Sequence, residues 1–223
     1  MLAALIALAV VAAPPPVVCV DPGHGGRANP ATEPIGPGSS TRKIKDGGGA
    51  SGVVTGQREA DLALDVSLRL RTLLEREGIR VVMTRTTTNG ASLDNVVRAR
   101  TCNRAHAQLM LRVHADGSSD RSTHGTHTLH PARRAGWTDD VYAPSRNAAR
   151  LVQRAVVSRL GSRDLGLQER ADLTGFNWAD VPVVLVELGF LSNPREDRLL
   201  ATRAYRARAA AGLRDGTLAF LRR

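Results

Sequence analysis

Aromatic residues make up only 3% of this 223-residue chain. Proteins that grip single-stranded nucleic acid stack bases on aromatic platforms, so the composition argues against that class. Any core must be built from the aliphatic residues that dominate the 42% hydrophobic fraction. Cysteine is scarcer still. Cys19 and Cys102 are the two present, and neither belongs to a CxxC unit, which excludes a thiolate zinc site. Each lies in a segment expected to pack into the core, so they read as two small buried thiols; a disulfide is open to them in an exported protein. No apolar run is long enough to cross a bilayer as a helix, and neither an internal repeat nor a second domain is evident. Acidic residues are in deficit, 21 against 31 Lys+Arg, for a net charge of +10. A basic chain favours anionic partners, nucleic acid or an anionic cell-surface polymer. Its arginines are scattered, and no DNA-reading element stands out.

Residues 1–13 form an almost unbroken apolar run, with Pro14, Pro15 and Pro16 stopping any helix. They read as the apolar part of a secretory signal, although no Lys or Arg precedes them. Residues 1–16 are therefore expected to be a signal and Pro-rich junction. The mature protein is expected outside the cell, in the wall or in the periplasm, without stable membrane insertion. No lipoprotein cleavage pattern precedes Cys19. Residues 17–223 are expected to form one domain.

Within it, Val17–Val20 is a short apolar run closed by Asp21-Pro22-Gly23-His24-Gly25-Gly26. That is a buried strand ending in a tight loop, and its glycines let a metal or substrate approach His24 closely. Residues 27–57 are rich in Gly, Pro, Ser and Thr and read as a long loop, either a substrate-facing lid or an insertion without a role. Leu62, Val66, Leu70, Leu73 and Leu74 then recur at helical spacing, giving a helix over 59–77 with Glu59 in its first turn. There an acidic residue already suits the helix dipole. Strands are predicted at 79–83 and 108–113, the second running into His114. Ser92 and Ser145 are expected to cap helices reaching to about Ala105 and Leu160. His124 to His130 alternate as a short strand; alternation splits their three histidines between faces, so His124, His127 and His130 are not assigned as ligands. Val183–Val186 is the most strand-like run and leads into Glu187. A carboxylate after a buried apolar run is costly unless paired or bound. Asn193, Pro194 and Glu196 have the pattern of a helix start, and a last helix begins near Thr202. The alternation predicts an α/β fold with a mostly parallel or mixed twisted sheet and helices on both faces.

Two imidazoles and a carboxylate form the ligand set of many catalytic zinc sites, and a further carboxylate can act as general base. His24, His114 and Glu187 at strand ends, with Glu59 at a helix start, supply these groups. The motifs Val20-Asp21-Pro22-Gly23-His24-Gly25-Gly26, the helix-opening Glu59, Val113-His114-Ala115-Asp116 and Pro182 to Asn193 occur in this order. In them the chain resembles the type 3 zinc-dependent N-acetylmuramoyl-L-alanine amidases, bacterial cell-wall hydrolases, from Val17 to the C-terminus. Thr84-Arg85 and Arg100 with Asn103 match further family features, with Cys102 in place of the usual Ala. The resemblance implies one zinc ion held by His24, Glu59 and His114. It implies Glu187 as the catalytic carboxylate, and peptidoglycan or its muropeptides as substrate, cleaved between N-acetylmuramic acid and L-alanine. A monomer acting without nucleic acid is expected. Arg112, where the family usually has Ser, and the 27–57 segment are departures that bear on substrate preference. Ala115 to Ser145 leaves little room for the helix that plugs the site of regulated relatives. The rival readings are a non-catalytic wall-binding module and a zinc carboxypeptidase.

Overall fold

A computed structural model describes residues 14–90 and 92–222; the apolar run at 1–13 lies outside them. The elements follow in chain order as β1 (Val17–Pro22), β2 (Asn29–Pro34), β3 (Arg42–Asp46), α1 (Glu59–Arg76), β4 (Arg80–Met83), α2 (Asn95–Arg104), β5 (Leu109–Asp116), β6 (Thr126–Pro131), α3 (Tyr142–Leu160), β7 (Asp164–Arg170), α4 (Thr174–Asn177), β8 (Val183–Phe190), α5 (Pro194–Leu200) and α6 (Arg203–Leu221). Six strands make one sheet in the order β4-β1-β5-β8-β6-β7. All neighbours are parallel except β6 and β8. The sheet is mixed and mostly parallel, and helices cover both faces, as expected.

The two faces are unequal. Strand residues Val18, Val20, Leu109, Leu111, Val113, Val184, Val186 and Leu188 point to one side. There they meet Leu62, Val66, Leu70 and Leu74 of α1 and the apolar stripes of α3 and α6. Burying one such leucine stabilises by roughly 2 kcal/mol, so this face supplies most of the hydrophobic stabilisation. The opposite face holds a smaller cluster from Cys19, Met110, Val183 and Leu185 against Cys102, Phe176 and Ala179. Continuing along that face toward the carboxyl ends of the strands, the residues become polar: Asp21, Arg112, His114 and Glu187. Alternation in the strands produces this. The position in each strand that faces the smaller cluster becomes polar at the sheet edge where open α/β sheets bind ligands.

The structure corrects several local expectations. Cys19 and Cys102 are joined in a disulfide, with Cα atoms 5.4 Å apart. The helix α2 lays Cys102 against β1, a juxtaposition across 83 residues that no local pattern signals. Residues 27–57 are not a structureless loop, because they contain the antiparallel hairpin β2–β3. Its strands carry almost no apolar alternation because the hairpin is held by polar pins. Glu33 accepts from the backbone N–H of Asn95 and Val96 and from Asn95 Nδ2, and Lys43 and Lys45 pair with Asp172 and Asp94. Neither Ser92 nor Ser145 caps a helix. Ser92 Oγ accepts from Arg98 Nη2 at 3.1 Å, and Ser145, buried inside α3, accepts from the backbone N–H of Val183 at 2.9 Å. Asn193 and Thr202 do cap α5 and α6.

Candidate metal centre

The tight turn after β1 places His24 with φ at 57°, a left-handed conformation that non-glycine residues rarely adopt. Two partners hold it there. Arg98 Nη2 donates to the His24 carbonyl at 2.6 Å, and the ring Nδ1 bonds Asp46 Oδ1 at 2.6 Å. The other ring nitrogen, Nε2, is thereby turned to Glu59 Oε1 at 3.1 Å. Glu59 opens α1 and is buried. Its Oε2 accepts from the backbone N–H of Ala50, while its Oε1 meets His114 Nδ1 at 2.8 Å. Ligand atoms of His24, Glu59 and His114 all lie within 4.8 Å of one another. Gly23 makes this packing feasible: a Cβ there would lie 2.4 Å from His114 Cε1.

The electrostatics suit a cation. Burial alone would lower the His24 pKa, but hydrogen bonds and charge from Asp46 and Glu59 overrule it and push it up to about 9. The pull of these carboxylates favours positive charge at the centre of the cluster. Burial alone would raise Glu59, yet its bonds to both histidines hold it well below the usual carboxylate range. At His114 burial prevails and pushes the imidazole below its ordinary value. That favours the neutral form, which can ligate a metal, and its Nε2 is buried without a hydrogen-bond partner. The donor set therefore fits a divalent metal.

Glu187 lies beside the cluster. In the parallel β5–β8 register it is the partner of His114, and neighbouring strands run about 4.8 Å apart. Its Oε2 is buried and unpartnered. Burial, reinforced by the charges of Glu59 and Asp116, raises its pKa well above the ordinary carboxylate value. A cleft of about 170 Å³ opens next to the cluster, lined among others by His24, His114, Arg112 and Asn95.

All four residues singled out in the sequence thus come together. His124, His127 and His130 stay out of the cluster. His127 is nonetheless the register partner of Glu187 on β6, buried, with Nδ1 unpartnered and its ring stacked on Phe190. Sequence reasoning missed Asp46, since nothing near it in the chain marks it as a partner of His24. It also missed the buried network in which Asp21 receives Thr84 Oγ1, Arg98 Nη1 and Arg112 Nε. The helix arginine that matters is Arg98; Arg100 is exposed and lies over Trp178.

Residues 18–218 match the family model described as N-acetylmuramoyl-L-alanine amidase. The N-acetylmuramoyl-L-alanine amidase Rv3717 of Mycobacterium tuberculosis is 33% identical over 226 residues, covering 92% of this chain and 86% of that protein. LytC of Bacillus subtilis, another N-acetylmuramoyl-L-alanine amidase, is 28% identical over 92% of this chain. The match covers 35% of LytC, so the chain spans about a third of that relative's length. Among solved structures, the amidase Ami1 from Mycobacterium smegmatis has a TM-score of 0.83 at 27% identity, covering 92% of this chain and 96% of that one.

Proposed function

Since the chain belongs to the N-acetylmuramoyl-L-alanine amidase family, we propose that it hydrolyses the amide between N-acetylmuramic acid and L-alanine in peptidoglycan, with zinc held by His24, Glu59 and His114. The observation that carries this reading is the convergence of buried Glu59 and His114 with part-buried His24, beside Glu187 with its Oε2 unpartnered. Bound zinc would supply Lewis acidity toward the carbonyl and an acidified water. Glu187 takes a proton at Oε2 as water attacks, then delivers it to the leaving nitrogen of L-alanine. Its raised pKa suits both halves of that task. Asp46 and Arg98 keep His24 aimed inward, and Gly23 leaves the His114 ring its place.

Among the described residues no helix lies between β5 and α3, so no plug of that kind covers the cleft, and the enzyme works without an activator. Export is part of the reading. The apolar residues 1–13 act as a signal, and the disulfide suits an oxidising compartment. Among the described residues no helix is long and apolar enough to cross a membrane.

The test is mass spectrometry of muropeptides incubated with the purified protein, with chelator and then with zinc restored. Free stem peptides beginning at L-alanine are expected, stopping with chelator and returning with zinc. Glu187→Gln should keep stoichiometric zinc and lose at least about 100-fold in kcat. Release of single amino acids would replace the amidase by a carboxypeptidase. No cleavage together with no bound zinc would end the metal-amidase reading.

A further inference from the structure

We infer that Arg112 reads a free carboxylate on the stem peptide one residue beyond L-alanine, and so makes this enzyme prefer acidic stems over amidated ones. The inference rests on the amidase reading and deepens it. Arg112 precedes His114 by two positions on β5, so the two side chains leave the same face of the sheet. It is 5% exposed, and its guanidinium is only partly used. The Nε donates to Asp21 Oδ2 at 2.7 Å and Nη2 to Asn95 Oδ1 at 2.7 Å. Among the described residues Nη1 has no acceptor, and Arg112 lines the cleft beside the proposed metal ligands. The backbone of α4 comes down over it, since a Cβ on Gly175 would sit 2.4 Å from Nη1.

Glu187 feels the charge of Arg112, but its Oε2 takes no hydrogen bond from it, and the other carboxylates nearby are already engaged. Asp21 serves two arginines, and Arg98 is spent on it and on the carbonyls of Pro22, His24 and Leu93. Glu33 is spent on the Asn95 amide groups and the backbone N–H of Val96. The other cations of the cleft, Lys43 and Lys45, already have Asp172 and Asp94. A buried arginine with an open donor favours a carboxylate. With the scissile amide at the metal cluster, the next residue of the stem after L-alanine is a glutamate whose α-carboxyl is free in some walls and amidated in others. The free form offers an anion within one residue of the bond cut, and the amidated form offers none.

Two muropeptides differing only in that group, glutamate against isoglutamine, decide the matter with the zinc-loaded full chain. Wild type should cleave the acid with a kcat/KM roughly 10- to 100-fold higher, the worth of one charge-assisted hydrogen bond, expressed mainly in KM. Arg112→Ser should lower the acid rate at least ten times more than the amide rate, and Arg112→Lys should restore part of the gap. Equal rates for wild type on both substrates would overturn the inference. So would an equal loss on both in Arg112→Ser, the mark of a structural role through Asp21. If Arg112→Ser does not fold, the wild-type ratio with Arg112→Lys carries the decision. Wild type cleaving neither substrate would remove the amidase reading itself, a result distinct from cleaving both alike.

Discussion

His24 keeps an uncommon backbone conformation because the residues around it fix both its carbonyl and its ring. Asp46 does the second job from a hairpin more than twenty residues along the chain. Partners of this kind, one bond removed from the metal, set the tautomer and aim of the ligand, and losing one typically costs 10- to 100-fold in metal affinity. Asp46→Asn should therefore weaken zinc binding by about that factor while leaving the fold intact, as read by competition with a chromophoric chelator. Unchanged affinity would mean that Arg98, through the His24 carbonyl, suffices to position the ring. The four residues of the site were legible because each stands where the sequence pattern changes abruptly, although His114 and Glu187 prove to lie inside β5 and β8, which run on to Asp116 and Phe190. Asp46, Arg98 and Asp21 were not, because their partners are assembled only by the tertiary fold.

At the scale of elements, β2 and β3 owe their place to pins and little to apolar packing. Glu33 is buried and accepts all three donors that α2 offers it at its start. Removing it leaves the backbone N–H groups of Asn95 and Val96 without that partner, while Asn95 Nδ2 keeps the Lys45 carbonyl, at a cost of about 1–3 kcal/mol. Glu33→Ala should lower the urea midpoint accordingly, and amide exchange should quicken across residues 29–46 well before it does in β5. Uniform exchange across the chain would show that the hairpin does not open on its own. The same physics explains which elements the sequence disclosed. The strands β1, β5 and β8 are central and buried, so they read as apolar runs, and α1 reads from its spaced leucines. An edge strand such as β7 buries only part of one side, and two leucines around Gly166 are too little to mark it. The start of α3 lies earlier than expected because Ser145, three residues inside it, reads as a cap. Pro144 is tolerated in the first helical turn, and here the helix had already begun at Tyr142.

For the molecule as a whole, acid should strip away the contribution of one buried carboxylate. Burial would raise Asp21, but the charges of Arg98 and Arg112 and the bonds from Thr84 and Arg112 hold it well below its ordinary 3.8. A depressed carboxylate stabilises the folded state above its unfolded value, and that stabilisation fades as pH falls through the folded one. The urea midpoint should thus fall progressively below about pH 4. Asp21→Asn, which leaves two buried arginines short of a partner, should start about 3–5 kcal/mol lower and show a shallower further fall. An identical acid profile in both proteins would place the acid-sensitive group elsewhere. The Cys19–Cys102 bond acts on a different kind of damage. It closes a ring of chain that contains His24, the whole hairpin and Glu59, while His114 and Glu187 lie beyond it. The hairpin's tip, with Pro37, Gly38, Ser40 and Thr41 exposed, is one stretch within that ring presented to a protease. A nick there would open the ring without dividing the molecule, so a cut enzyme would keep both portions of its proposed metal site on a single covalent body.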